Sequence, residues 1–342
     1  MRRSRAEAVA LIVLLFGLVS LLGDASYEGF RSLLPADIRS TAGLGATIGL
    51  GDFVAYGLRP LSGLVVDLAG GYWAAVFLGY GLIPLGILLA LYGGGMDWLI
   101  AGYLVERMGK AVRGPARDHL LSEAAPRSRR GLVFGVHEAL DQAGAVAGPL
   151  IAYGVVSGVL PAWSLAVPGA LTVAALAAAR RVYRSNIGEP QRRSPRESLR
   201  GSRAALALVA VLGVLTPSPL AVAHVAALAG TAAKEIPLLY AAAMASDALA
   251  AIPLGLLHDK NRAAAVAAMA ASGAAAAALA LHGTAFSLVA AALASGVVEA
   301  GYETVARAMA RGATGYGALG LARGVAAGGS ILLYGLLYSL LH

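Results

Sequence analysis

Ser62-Gly-Leu-Val-Val-Asp67-Leu-Ala-Gly70 closes an apolar run that starts near residue 43, and Leu254-Gly-Leu-Leu-His-Asp259-Lys-Asn-Arg262 closes another that starts near residue 235. Each stretch sets a glycine four residues before an aspartate, where a long run of Val, Leu, Ala and Gly gives way to polar residues. A carboxylate at the edge of such a run marks the end of a helix that crosses an apolar layer. Two copies of one boundary in a single chain point to an internal repeat.

Working outward, the chain holds 342 residues, 58% of them hydrophobic and only 13% charged. A soluble domain carries about 25% charged residues. Apolar runs fall at about 8–35, 43–66, 73–93, 98–117, 131–156, 160–182, 204–228, 235–258, 263–281, 285–308 and 315–341. They are too long for a soluble Ala/Gly/Val-rich protein and do not alternate as barrel strands would. The fold class is therefore all-α and integral to the membrane, with about eleven transmembrane helices. The 44 glycines suit it, because small residues let membrane helices approach closely. The run after Arg2, Arg3 and Arg5 is too long for a signal-peptide core and has no Ala-x-Ala-like site, so it reads as the first span. With no Cys, disulfides, iron–sulfur clusters and a Cys nucleophile are excluded.

The net charge is +8. One set of connections holds Arg2, Arg3 and Arg5, then Arg127, Arg129 and Arg130, the segment 180–203, Lys260 and Arg262, and Arg311; the other holds little beyond Arg39 and Lys234. The basic set reads as cytoplasmic, with the N-terminus inside. These residues supply a topology signal and a contact for lipid headgroups; nothing in the sequence offers base-reading elements for nucleic acid.

The longest linker, 184–203, is basic and contains Pro195. It separates an N-terminal six-helix bundle (1–183) from a C-terminal bundle of about five helices (204–342). A second pair supports the repeat: Arg130-Gly-Leu-Val-Phe-Gly-Val-His137 opens span five, and Gly315-Tyr-Gly-Ala-Leu-Gly-Leu-Ala322 opens span eleven. Parallel repeats of this kind are a transporter architecture. Six plus six spans would need a twelfth. It reads as missing, supplied by a partner or removed, which sets the C-terminus outside.

Gly63-Leu-Val-Val-Asp67-Leu-Ala-Gly70 resembles the loop motif between helices two and three of the major facilitator superfamily. The basic pair usual after the last Gly is Gly71-Tyr72 here, while the second copy, Gly255 to Arg262, keeps basic residues. Glu106-Arg107-Met-Gly109-Lys110-Ala-Val-Arg113-Gly-Pro115-Ala-Arg117-Asp118, with Asp24-Ala-Ser-Tyr-Glu28, resembles a prokaryotic subgroup with a Gly-Lys-x-x-Arg-x-Pro-x-Arg-Asp signature. Gly144-x-x-x-Gly148-Pro149 resembles the antiporter motif of helix five, although its closing Gly pair is Ala152-Tyr153. Plain helix packing is the other reading of those glycines. The resemblance implies two pseudo-symmetric helical bundles around a midplane cavity lined by helices one, four, seven and ten. It implies secondary active transport by alternating access, and its antiporter-like motif implies export. It also implies a cytoplasmic gate at Gly63, Asp67, Gly70, Gly255 and Asp259, where the Asp helps latch that side closed.

Charges inside the membrane cost roughly 2.5–3.5 kcal/mol each on insertion scales, so they face a cavity or pair. Helical spacing groups them. Asp24, Glu28 and Arg31 form one stripe; Glu106, Lys110, Arg113 and Arg117, beside Arg107, form another. Glu138 and Asp141 lie three apart, His137 and Asp141 four apart, and Glu299, Glu303 and Arg307 step by four. Asp52, Arg59, Asp247 and Arg323 stand more alone. Three roles are open. Carboxyl pairs, Asp24 with Glu28 or Glu138 with Asp141, can exchange protons. Carboxylates with His137 can hold a divalent metal. Fixed ion pairs, Glu106 with Lys110 and Glu303 with Arg307, can be structural, and His137 can be a satisfied core residue.

Gly109-Lys110 lacks the rest of a nucleotide loop, so ATP drive is excluded. No Ser/His/Asp or His-Glu-x-x-His pattern appears, so neither an enzyme nor a cofactor is expected. The reading is a multi-pass protein of the cell membrane that couples protons, or another cation, to export of a small solute, in the manner of a drug/proton antiporter. A cation or metal transporter, an importer, or a non-transporting protein such as a lipid scramblase or a partner-dependent subunit are the alternatives.

Overall fold

The computed structural model describes residues 5–37, 41–232 and 235–342. Arg2, Arg3, Arg39 and Lys234, on which the expected orientation partly rests, lie outside the described residues. In chain order the helices are α1 (Arg5–Asp37), α2 (Thr41–Gly57), α3 (Arg59–Ala69), α4 (Tyr72–Tyr92), α5 (Met96–Ala124), α6 (Arg130–Val156) and α7 (Val167–Asn186). They continue as α8 (Pro195–Leu215), α9 (Pro219–Leu228), α10 (Ile236–Lys260), α11 (Arg262–His282), α12 (Ala285–Gly301), α13 (Arg307–Met309) and α14 (Gly312–Leu341). No strand occurs among the described residues.

Taken as continuous crossings, these helices give the eleven spans expected, with local differences that have physical causes. The second span breaks at Leu58 because Pro60 lies in the first turn of α3, where its missing N–H is tolerated and its fixed φ starts a helix. The seventh breaks at Thr216-Pro217-Ser218, where Ser218 accepts from the Ala221 N–H as an N-cap at 3.2 Å. The linker is less open than its composition suggests: α7 runs to Asn186 and α8 starts at Pro195, leaving 187–194 without helix. Nine helical stretches among the described residues are apolar and long enough to cross a membrane. The broken α2–α3 and the charge-bearing α5 complete the eleven.

Contacts sort the chain into two compact units. One comprises Met1–Ala125, Leu140–Arg200 and Arg311–Leu321; the other comprises Pro126–Ala139, Gly201–Ala310 and Ala322–His342. The opening turns of α6 thus belong to the second unit, and those of α14 to the first. In the first unit α4 packs along α5 and α1 along α7; in the second α12 packs on α10 and α11. The α4–α5 contact is backbone to backbone: a Cβ on Gly86 would strike the Gly102 carbonyl.

Candidate functional site

Each unit contains one helix end held by an aspartate of another helix. The first N–H groups of a helix have no partner within it, and a carboxylate satisfies them while opposing the positive end of the helix dipole. In the first unit Asp67, at the end of α3, accepts from the backbone N–H of Ala313 at 3.1 Å and of Thr314 at 2.8 Å. It also accepts from the Thr314 hydroxyl at 2.7 Å and the Tyr72 hydroxyl at 2.9 Å. In the second unit Asp259, at the end of α10, accepts from the N–H groups of Gly131 and Leu132, both at 2.8 Å. Gly63 and Gly255 explain the spacing of the two motifs. A Cβ on Gly63 would strike the Ala313 carbonyl, and one on Gly255 the Gly131 carbonyl. The glycine lets the helix start come down onto α3 or α10, and the aspartate one turn later reaches it. Gly70 ends α3 at φ 77°, donating its N–H to the Val66 carbonyl.

A second constellation of the first unit lies on α1, α5 and α6. Asp24, 6% exposed, accepts from the Tyr27 hydroxyl at 3.2 Å, and that hydroxyl accepts from Lys110 Nζ at 2.9 Å. Asp24 is also within hydrogen-bonding reach of Asp141. The Ser20 hydroxyl donates to Asp141, and Arg117 donates to Ser20 at 3.2 Å and stands 4.0 Å from Asp141. Gly144 and Gly148 make this meeting possible. A Cβ on Gly144 would run into the Leu21 backbone, and one on Gly148 into the backbone of Ala25 and Gly29. The two glycines bracket Asp24 along α1 and press α6 against it. Their motif thus has a packing role here.

The α5 stripe is pinned by charge and by rings. Glu106 pairs with Arg107 at 2.6 Å and Arg113 at 3.6 Å. Arg107 lies over the rings of Tyr27 and Tyr103, and Arg113 over Tyr80, which stabilises buried guanidinium groups. Arg31 bridges Glu28 at 3.7 Å and Asp52 at 3.9 Å in a more exposed position.

In the second unit the charges gather around α12. Its helix passes through a π turn at Tyr302–Ala306 before α13, a form of local irregularity frequent at functional sites. Glu303 on this turn pairs with Arg307 and with Arg323 of α14, which also holds Glu299. Arg307 reaches Glu138 at 3.6 Å. Glu299, Tyr302 and Arg323 line a narrow recess with Thr216 and Ser218, and Thr216 and Tyr302 hydroxyls lie 3.3 Å apart.

Several expected pairings are corrected. Lys110 joins Tyr27 rather than Glu106. Asp24 meets Asp141, while Glu28 turns to Arg31. Glu138 and Asp141 have separate partners in separate units. Asp52 and Arg323 do not stand alone but belong to ion-pair networks. His137 is wholly buried, and among the described residues no three His or acidic side chains converge as a metal site. The sequence reading missed Ser20, Tyr27, Tyr80, Tyr103 and the π turn. Tyr103 four residues before Arg107, and Tyr27 between Asp24 and Glu28, were signals the sequence did carry.

Comparison with known proteins fits this geometry. The sequence profile of the Major Facilitator Superfamily matches residues 14–328. An uncharacterised protein of Mycobacterium tuberculosis is 42% identical over 149 residues, covering 42% of this chain and 36% of the relative. An uncharacterised transporter of the same superfamily from Methanocaldococcus jannaschii is 35% identical over 142 residues, 40% of this chain and 35% of the relative. The matched stretch thus spans about a third of the length of these curated relatives. Among solved structures, the transporter FucP in its outward conformation, whose N162A form is described as the E. coli fucose:proton symporter, superposes with a TM-score of 0.66 at 16% identity, covering 99% of this chain and 98% of that one. A bacterial homologue of the iron transporter ferroportin gives 0.66 at 15% identity, over 97% and 90%. These likenesses establish the fold. With the profile spanning nearly all of its length, the chain belongs to the Major Facilitator Superfamily, a family of multi-pass membrane transporters.

Proposed function

We propose that this protein is a secondary active transporter of the cell membrane that works by alternating access and couples protons to the export of a small solute. The observation that carries the reading is the approach of Asp141 to the buried Asp24 within hydrogen-bonding reach. Two carboxylates at that range repel, and a proton between them turns repulsion into a hydrogen bond. Lys110 and Arg117 lie near enough, through Tyr27 and Ser20, for the pair's charge to be felt by the α5 stripe. Loading and unloading one proton would then change which partners Lys110 and Arg117 prefer, and such a change can bias a bistable packing.

On this reading Asp67 and Asp259 mark the cytoplasmic side, where each carboxylate latches a helix start. Breaking the cap frees α14 or α6 to move. Glu299, Glu303, Arg307 and Arg323 offer a polar, charge-balanced wall that suits a small solute with its own hydrogen-bonding groups once the helices beside Tyr302 part. Export is supported by the likeness of Gly144-x-x-x-Gly148-Pro149 to the antiporter motif, whose role here includes seating Asp141 on Asp24.

The test is flux in proteoliposomes under an imposed pH gradient, with a panel of small solutes and divalent cations. The reading expects a solute to move against the direction of the protons. Solute moving with the protons would make the protein a symporter. Metal or lipid movement without protons would overturn the proton-coupled reading.

A further inference from the structure

The linker between α7 and α8 returns to the same carboxylate that caps α14. Its non-helical part is fastened to the first unit at two places. The Gln191 N–H donates to Glu123 at 2.9 Å and its carbonyl lies 3.1 Å from His119 Nε2. Arg192 donates to the Leu68 carbonyl at the end of α3, where a cation complements the negative end of the helix. A turn into α8, Ser198 is wholly buried and donates its hydroxyl to Asp67 Oδ2 at 2.8 Å. The seat is tight on the other side too. Gly312, where α14 begins, has φ 63°, and a Cβ there would collide with the Ser198 hydroxyl.

We propose that Ser198 is a positioning residue of the Asp67 latch and that linker residues 191–198 form the strap that keeps this latch aimed at α14. The proposal rests on the reading of Asp67 as a gate. Asp67 spends one oxygen on Tyr72 and Ala313 and the other on Ser198 and Thr314. A carboxylate has about four lone-pair directions. Tyr72 from α4 holds one oxygen and Ser198 from the strap the other, and this fixes the rotamer in which both oxygens also meet α14. Asp259, in the second unit, accepts from the N–H groups of Gly131 and Leu132 and lies 3.3 Å from the ring of its neighbour His258. Whatever pulls on the linker acts directly on the α14 latch.

The chain contains no Cys, so single cysteines report without background. Ala313→Cys, at a fully buried position beside Asp67, is labelled with a maleimide in proteoliposomes in the parent, Ser198→Ala, Ser198→Thr and Asp67→Asn backgrounds. Ala276→Cys, buried in α11 of the other unit, reports general loosening. Losing a hydrogen bond to a charged group should speed labelling of Ala313→Cys roughly tenfold or more in Ser198→Ala, with Ser198→Thr close to the parent and Ala276→Cys unchanged. If Asp67→Asn speeds labelling and Ser198→Ala does not, the strap is wrong and the gate stands. If both sites speed up together, Ser198 is merely structural. If Asp67→Asn has no effect, the gate reading falls and takes the strap with it.

Discussion

Asp24 of α1 and Asp141 of α6 stand within hydrogen-bonding reach of each other, side by side with the glycine face that holds those two helices together. Gly144 is one turn beyond Asp141, and its hydrogen points at the Leu21 backbone. Gly144→Val should therefore part the helices. Overpacking of this kind costs about 1–3 kcal/mol, visible as a lower melting temperature in detergent. The variant should also lose proton coupling, because Asp141 no longer reaches its partner.

The two latches should differ in strength. Asp67→Ala strands donors from Tyr72, Ser198, Ala313 and Thr314, whereas Asp259→Ala strands chiefly the N–H groups of Gly131 and Leu132. An N-cap is worth about 0.5–2 kcal/mol. Thermal unfolding of the two variants should show the larger loss for Asp67→Ala.

Arg323 serves both Glu299 and Glu303. Its removal takes that cation from Glu299 and leaves Glu303 to Arg307, and losing one partner of a buried pair costs about 3–5 kcal/mol. Arg323→Gln should destabilise strongly, and Glu299→Gln in that background should recover much of the loss. Recovery of folded yield in size-exclusion chromatography checks it.

Arg31 presents the opposite case. It is about a quarter exposed, and its partners Glu28 and Asp52 are similarly accessible. Pairs of that kind contribute under about 1 kcal/mol. Arg31→Gln should leave the melting temperature within error, and any effect on flux would then be an effect on function.

The crossings were legible because a run of apolar residues is the signal itself, and the repeated Gly-x-x-x-Asp was legible because it lies within one helix end. Even so, the sequence could not say that Asp67 caps α14 or that Asp259 caps α6, since a cap is a contact between distant segments. Spacing finds neighbours only along one helix. It grouped Glu303 with Arg307 correctly, but it offered Lys110 to Glu106 and Glu28 to Asp24, where the folded chain prefers Tyr27 and Asp141. The π turn at Tyr302–Ala306 carries no composition signal at all. The pairing of Glu303 with Arg323 joins that turn to α14, and a helical period speaks only of neighbours within one helix.

The most direct test of the account is proton movement measured with a pH-sensitive dye in proteoliposomes bearing the parent, Asp24→Asn, Asp141→Asn and the double variant. Groups that act as one unit give single losses as large as the combined loss. The account predicts that either single substitution abolishes solute-coupled proton movement, that the double is no worse, and that solute counterflow, which needs no net proton transfer, persists in all three. Proton coupling that survives in either single variant would contradict it.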